Sequence, residues 1–128
     1  MERRTRQRDA IQRALDEAGR PLSPPEILRA ASRFAPGLGQ ATVYRALASM
    51  VGEGLADVVE LPGGPTCYER RHDHHHHHFH CRTCGRVFEV EGCPGHLESL
   101  APRGFAVDGH DLTLHGTCRD CLPRRKGA

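Results

Sequence analysis

Apolar residues recur at helical spacing in three stretches of the first half of the chain. The first stretch covers residues 11–18, where apolar side chains fall at i, i+3, i+4 and i+7 before Gly19 ends the run. The second opens at a capping box with proline at the first helical position, Ser23-Pro24-Pro25-Glu26, and ends before Pro36. The third runs from about Gln40 to Val51, and its apolar stripe consists of Val43, Leu47, Met50 and Val51.

A β-hairpin is predicted directly after the third helix. Residues 55–61 are rich in valine and leucine, Pro62-Gly63-Gly64-Pro65 is a turn sequence, and residues 66–69 can pair back. Three short helices followed by a hairpin predict a winged helix-turn-helix, in which the third helix reads DNA.

The outer face of the third helix carries side chains suited to nucleic acid. These are Gln40, Thr42, Tyr44, Arg45 and Ser49. Arginine suits guanine edges or phosphates, and tyrosine can contact a thymine methyl group or a phosphate. An N-terminal cluster of arginines, Arg3, Arg4, Arg6 and Arg8, favours further phosphate contacts. The pattern leaves an alternative open, because a protein-binding module with a solvated helix face and a solubilising tail has the same features.

The second half predicts a small αβ unit. A strand is expected at 87–90, a short helix at 97–100, and a second strand at 105–115. Pairing of such strands between two chains would supply the core that one short chain lacks. The predicted fold class is therefore α/β in the α+β sense. A winged-helix DNA-binding domain with its wing spans 1–71, and a metal-binding dimerisation domain spans 72–128.

Composition narrows the class of protein further. The chain has 128 residues and 5% aromatic residues, and its formal net charge of +2 excludes a grossly polybasic binder. No apolar run approaches the ~20 residues of a membrane span, and the N-terminal sequence lacks the apolar region of a signal peptide. We therefore expect a cytoplasmic protein without a membrane partner. Every Cys and His lies between Cys67 and Cys121, and this clustering favours metal over disulfides.

Two C-x₂-C pairs predict a structural zinc site. They are Cys81-Arg82-Thr83-Cys84 and Cys118-Arg119-Asp120-Cys121. Four thiolates complete a tetrahedral zinc shell with no open position. Because the two pairs are far apart in sequence, the segment between them must be a folded unit.

A histidine-rich run, residues 72–80, directly precedes the first of these pairs. Alternate side chains of an extended segment share a face, so His76 and His78 would point one way and His75 and His77 the other. Two metal sites on opposite faces follow. Carboxylates and imidazoles elsewhere could complete them, namely Asp57, Glu69, Glu89, His96 and His110. Such mixed nitrogen and oxygen sites bind Zn²⁺, Fe²⁺ or Mn²⁺. A His-rich loop that binds metal loosely remains the alternative.

The chain resembles the ferric uptake regulator family of metal-sensing repressors over essentially its whole length. The matching segments are Thr5–Arg8, Ala41–Leu47, Gly54–Ala56, Tyr68-Glu69, the His-rich run into Cys81–Gly85, and His110–Cys118. The resemblance implies a homodimer that binds double-stranded operator DNA when a metal site at the hinge between its two domains is filled. It implies neither an enzyme nor a small-molecule substrate.

The resemblance also assigns residues to sites. It places structural zinc on Cys81, Cys84, Cys118 and Cys121. It places a hinge or sensing site on Glu69, His76, His78 and Glu89. A further site in the dimerisation domain falls on His75, His77, His96 and His110. DNA contacts fall on Tyr44 and Arg45, supported by Thr42, Gln40, Arg6 and Arg8.

Departures from the family pattern favour its zinc uptake regulator branch. Pro21 stands where iron and peroxide sensors usually have a histidine, and Asp57 matches an aspartate of the zinc branch. Arg71 stands near the place of that branch's sensing cysteine, so Asp57 or Cys67 could supply the missing ligand. Cys93 is expected to be a small packing residue. The predicted metal is zinc, with an iron- or manganese-responsive regulator as the alternative.

Two functions from other classes have weaker support. His96-Leu97-Glu98 followed by Cys118-x-x-Cys121 is similar to the motif of zinc-dependent nucleobase deaminases. Thr117 stands where that motif has proline, and Cys81 and Cys84 would have no role in it. A plain zinc buffer would need only the histidine run and no recognition helix.

Overall fold

Three helices and a hairpin form the first part of the structure, a computed structural model that describes residues 3–73 and 76–123. The helices are α1 (Arg3–Ala18), α2 (Pro24–Ala31) and α3 (Gln40–Gly52), and the hairpin strands are β1 (Ala56–Glu60) and β2 (Thr66–Arg70). The predicted helix-turn-helix and wing are confirmed. Helix α1 begins eight residues before Ile11, because its exposed first turn carries no apolar stripe and arginine is a good helix former.

The apolar stripes of the three helices form one hydrophobic core. Its buried residues are Ala10, Ile11, Ala14, Leu15, Leu22, Ile27, Ala31, Val43, Leu47, Met50 and Ala56. Because this stripe of α3 faces the core, the opposite face of the helix is left for solvent or DNA.

The wing is fixed to the helices by a short β-bridge. Strands β1 and β2 pair antiparallel, with Val58 opposite Tyr68. The N–H of Leu22 donates to the carbonyl of Tyr68 at 2.8 Å, and the N–H of Tyr68 donates back at 2.8 Å. Glu69, the next residue, is therefore held at a defined position at the end of the wing.

The second sheet has three strands, β3 (His77–Cys81), β4 (Val87–Val90) and β5 (Thr113–Gly116), in the order β4-β3-β5. The central strand β3 is antiparallel to β4 and parallel to β5. The strand predicted at 105–115 is wrong for residues 105–112, which form no strand; they follow the turn at Gly104, where φ is 87°, and contain Gly109, a residue type that weakens a strand interior. The predicted short helix is a 3₁₀ turn, Leu97–Leu100. Within the described ranges no helix is long and apolar enough to cross a membrane.

The capping box of α2 gives a stability prediction. Ser23 Oγ accepts the N–H of Glu26 at 3.4 Å, and Glu26 Oε1 accepts the N–H of Ser23 at 3.0 Å. Ser23→Ala should lower the free energy of unfolding by about 1 kcal/mol, measured by urea denaturation of metal-saturated protein. Ser32→Ala is the matched control, because the Ser32 hydroxyl only donates to the Leu28 carbonyl at the other end of α2. Equal losses in the two variants would contradict a capping role for Ser23.

Candidate metal centres and DNA-binding surface

The four cysteines of the two C-x₂-C pairs meet at one end of the second sheet. Parallel strands β3 and β5 end side by side, with Cys81 opposite Gly116, so the turns that follow bring both pairs together. The four sulfur atoms lie within 4.8 Å of one another. Four thiol ligands at this spacing fit a closed structural zinc site.

Hydrogen bonds favour the thiolate form of part of this cluster. The N–H groups of Cys84 and Cys118 donate to Cys81 Sγ at 3.4 and 3.3 Å and lower the pKa of the Cys81 thiol to about 5. The Arg86 guanidinium donates to Cys84 Sγ at 3.1 Å and lowers the pKa of that thiol too. The hydrogen bond to the Cys118 sulfur raises the pKa of Cys121 to about 12. Because the sulfurs compete for negative charge, a divalent cation is needed to hold all four as thiolates.

A second cluster joins the wing to the second sheet. Glu69 lies on β2, Glu89 on β4, and His76 directly before β3, while His72 lies between the two sheets. One ligand atom from each of these four residues lies within 4.8 Å of the others. We call Glu69, His72, His76 and Glu89 the hinge cluster. His76 Nε2 is 2.7 Å from Glu69 Oε1, and His72 Nε2 is 2.5 Å from Glu89 Oε1. His78 Nε2 also approaches Glu69 Oε1, at 3.3 Å.

Glu69 is the most buried member of this hinge cluster, with 3% of its surface exposed. Burial alone would raise the pKa of its carboxyl, but hydrogen bonds from His78 and His76 outweigh burial and hold the pKa below its usual value. Its second oxygen, Oε2, is buried without a hydrogen-bond partner among the residues that the structure describes. Buried carboxylates are normally paired or bind metal, so a divalent cation here would satisfy this oxygen.

Of the four residues assigned to the hinge site, Glu69, His76 and Glu89 belong to this cluster, while His78 contacts Glu69 and His72 is the fourth member of the cluster. Asp57 accepts the N–H of His72 at 3.2 Å and thus positions its backbone. Cys67 is not in the cluster; it packs with Val59, Leu61 and Val87, and burial raises the pKa of its thiol to about 11. The choice of metal ligands among the clustered side chains stays a prediction.

A third cluster lies on the other side of β3. His77 Nε2 and His110 Nε2 each lie 3.2 Å from Cys93 Sγ, and the two imidazole rings stack with centroids 5.0 Å apart. Of the residues assigned to the dimerisation-domain site, His77 and His110 meet here. His96 does not, since its side chain is 95% exposed next to Glu98. His75 lies outside the described residues.

The predicted DNA contacts lie mainly on one surface. Gln40 and Arg45 are exposed on α3, and Tyr44 is 45% exposed beside them. Thr42 is half-buried and accepts a hydrogen bond from Arg45 at 3.4 Å. A groove between α1 and α3 is lined by Arg4, Gln7, Arg8, Thr42, Arg45, Ala46 and Ser49. Of the N-terminal arginine cluster, Arg4 and Arg8 line this groove, Arg8 is also paired with Glu53, and Arg6 is exposed outside the groove.

Three residues at these clusters, His72, Arg86 and Cys93, were not predicted to lie at a metal site. His72 lies four residues before His76 in the same His-rich run, and this position could have indicated a metal-binding role. Arg86 follows Cys84 by two residues, and a cation beside a thiolate cluster offsets its charge. Cys93 was predicted to be a small packing residue, and this prediction is wrong, because Cys93 is exposed and its sulfur lies beside two imidazoles.

The comparisons with known proteins define the class. The family model described as the ferric uptake regulator family matches residues 2–115. The zinc uptake regulation protein of Mycobacterium tuberculosis is 38% identical over 122 residues, covering 93% of this chain and 94% of the relative. The crystal structure of FurB from M. tuberculosis, a zinc uptake regulator, is 37% identical, with a TM-score of 0.52 and coverage of 94% and 95%. The Helicobacter pylori ferric uptake regulator matches at 25% identity, a TM-score of 0.73 and coverage of 94% and 82%.

This chain belongs to the ferric uptake regulator family. It is a metal-responsive transcriptional regulator with a winged helix, an αβ dimerisation domain and cysteine and histidine metal sites. Members of the family are DNA-binding regulators and not enzymes, which decides against the deaminase hypothesis.

Proposed function

We propose that this chain is a zinc-responsive repressor that binds operator DNA as a homodimer when its hinge cluster holds zinc. The observation that carries the proposal is the position of Glu69. This carboxylate lies on the wing, yet its oxygens lie among histidines at the second sheet. A metal there would fix the angle between the residue 1–71 module and the residue 72–128 module.

That angle matters because two recognition helices must reach two half-sites at once. In a dimer bound to one face of the duplex, the half-sites lie about 34 Å or a multiple of it apart. Metal at the hinge cluster would therefore stabilise the DNA-binding arrangement, and DNA would tighten metal binding reciprocally. Converting a repressor from 1:99 to 99:1 needs about 5.5 kcal/mol of differential binding, which several new metal–ligand bonds can supply.

Exposed apolar side chains and an open strand edge support the homodimer. Leu100, Phe105, Leu114 and Leu122 are all exposed in the second half of the chain. Strand β5, which carries Leu114, pairs only with β3 among the described strands and so has an open edge. Open edges and apolar patches of this kind are normally covered, and a second copy of a dimeric regulator would cover both.

Zinc is the preferred metal because the relative with 38% identity is a zinc uptake regulation protein and because zinc binds such sites more tightly than Fe²⁺ or Mn²⁺. An iron- or manganese-responsive regulator is the second candidate. The hinge cluster offers only imidazole and carboxylate groups among the described residues, and this ligand set also suits those metals.

The test begins with zinc-loaded protein and a random duplex library, from which the bound DNA is recovered. Affinity for the selected duplex is then measured across buffered free Zn²⁺, Fe²⁺ and Mn²⁺, with sedimentation to compare the mass with twice the 14.2 kDa monomer. We expect a dimer activated by zinc at the lowest free concentration. Duplex binding that needs iron or manganese and not zinc would support the second candidate. A monomer that selects no DNA would overturn both candidate functions.

Arg45→Ala should lower affinity for the selected duplex by at least about tenfold, because an arginine contact to a base edge contributes about 1–3 kcal/mol of discrimination. Arg45 is exposed on α3 and hydrogen-bonds to Thr42 on the same helix, so fold and zinc content should not change. Arg29→Ala on α2, away from this face, is the matched control. Unchanged affinity of the Arg45 variant at physiological salt would show that α3 does not read the DNA.

A further inference from the structure

We propose that Cys93 is a metal ligand and that, with His77 and His110, it forms a thiolate-containing zinc site separate from both the hinge cluster and the four-cysteine site. The family spacing points to His96 at this place, but the structure puts the Cys93 sulfur between the two imidazoles. This inference does not depend on the hinge cluster being the switch.

The topology of the second sheet explains how the three groups meet. His77 begins the central strand β3, Cys93 follows β4, and His110 precedes β5. Because β4 and β5 flank β3, the loops at their ends both reach over His77. Glycines with positive φ, Gly92 at 88° and Gly95 at 68°, turn the loop around Cys93 toward the strand.

The three donor atoms converge. Both Nε2 atoms lie 3.2 Å from Cys93 Sγ, and all three atoms fall within 4.8 Å of one another. His77 is only 1% exposed, so one ligand is rigid and buried while Cys93 stays open to entering metal. His96 has a left-handed backbone, φ 53°, and its side chain points to solvent.

The types of donor atom indicate which metal would bind at this site. Two imidazoles and one thiolate match the ligand types of zinc sites with three protein ligands, in which a fourth donor such as water completes the tetrahedron. Thiolate selects zinc over Mn²⁺, which prefers oxygen. A metal here would tie the loops before β5 and after β4 to the central strand and so stabilise the second sheet.

Cobalt(II) distinguishes this site from the hinge cluster, which has no thiol among its described members. The full-length protein keeps its structural zinc, loses exchangeable metal to a chelator, and is titrated with Co²⁺ without oxygen. We expect a thiolate-to-cobalt charge-transfer band that saturates within two equivalents of cobalt, because the hinge cluster takes up cobalt without such a band. Zinc content is measured in parallel, so that cobalt entering the four-cysteine site is recognised.

Cys93→Ser should remove the band and weaken cobalt binding at this site by about tenfold or more. His96→Ala is the matched control and should keep both the band and the affinity. A band that persists in Cys93→Ser, or that disappears in His96→Ala, would overturn the proposal.

Alkylation of the unmodified sequence gives a test that needs no variant. Saturating zinc should slow iodoacetamide modification of Cys93 about tenfold or more, as followed by peptide mass spectrometry, because a bound thiolate is a poorer nucleophile. Equal rates with and without zinc would also overturn the assignment. DNA affinity does not enter either test, so failure here leaves the proposed function standing.

Discussion

His76→Ala should abolish metal-dependent DNA binding, whereas His77→Ala should weaken it far less. His76 lies 2.7 Å from Glu69 on the wing, while His77 faces Cys93 and His110 within the second sheet. Removing an imidazole from the hinge cluster breaks the link between the two modules. Removing His77 leaves that link intact, although it costs a ligand elsewhere. The loss for His76→Ala should exceed the 10–100-fold effect of deleting a partner that only supports a ligand.

The same measurement separates two ligand sets for the hinge cluster. His72 and His78 both approach the glutamates, His72 at 2.5 Å from Glu89 and His78 at 3.3 Å from Glu69. His72 is favoured as a metal ligand because its contact is shorter and its ligand atom lies within 4.8 Å of those of the other three residues of the hinge cluster. We therefore expect His72→Ala to impair zinc-dependent DNA binding more than His78→Ala. A larger defect in His78→Ala than in His72→Ala would support the ligand set predicted from the sequence, which contains His78. Equal defects in His76→Ala and His77→Ala would mean that the hinge assignment is wrong.

The helical half of the fold could be predicted because each local signal agrees with the others. The apolar stripe of α1, the capping box at Ser23 and the stripe of α3 each specify one element, and together they fill one core. The segment 105–112 could not be predicted in the same way. Its moderate alternation is typical of a strand, but the segment follows the turn at Gly104 and contains Gly109, and a β-pattern without a paired neighbour is weak evidence.

The metal clusters could also be predicted only in part. Alternation along the His-rich run placed His76 and His78 on one side and His77 on the other, because that depends only on strand geometry. The partners of these histidines depend on which loops the sheet brings near. Neither the convergence of Cys93 on His77 nor the exposure of His96 follows from spacing, since both are set by the order β4-β3-β5 and the turn at Gly92.

Cys81→Ser should remove one tightly held zinc per chain and unfold the second sheet. Cys81 ends the central strand β3, its side chain is fully buried, and its sulfur accepts the N–H groups of Cys84 and Cys118. It therefore connects both C-x₂-C turns to the sheet. Apparent binding free energies of structural zinc are about 10–16 kcal/mol in small zinc-dependent domains, and much of this is folding free energy. We expect zinc content to fall by one equivalent and the melting transition of the second module to disappear.

The control variant is Cys67→Ser, which also changes a buried cysteine to serine but outside every metal cluster of the described chain. Its thiol packs with Val59, Leu61 and Val87, so zinc content should not change and stability should fall by a few kcal/mol at most. In Cys81→Ser the helices α1 to α3 should keep their circular dichroism, because their core contains no residue of the second sheet. Full zinc content and an unchanged melting temperature in Cys81→Ser would refute the four-cysteine site. Unfolding of the helices together with the sheet would instead show that the two modules do not fold independently.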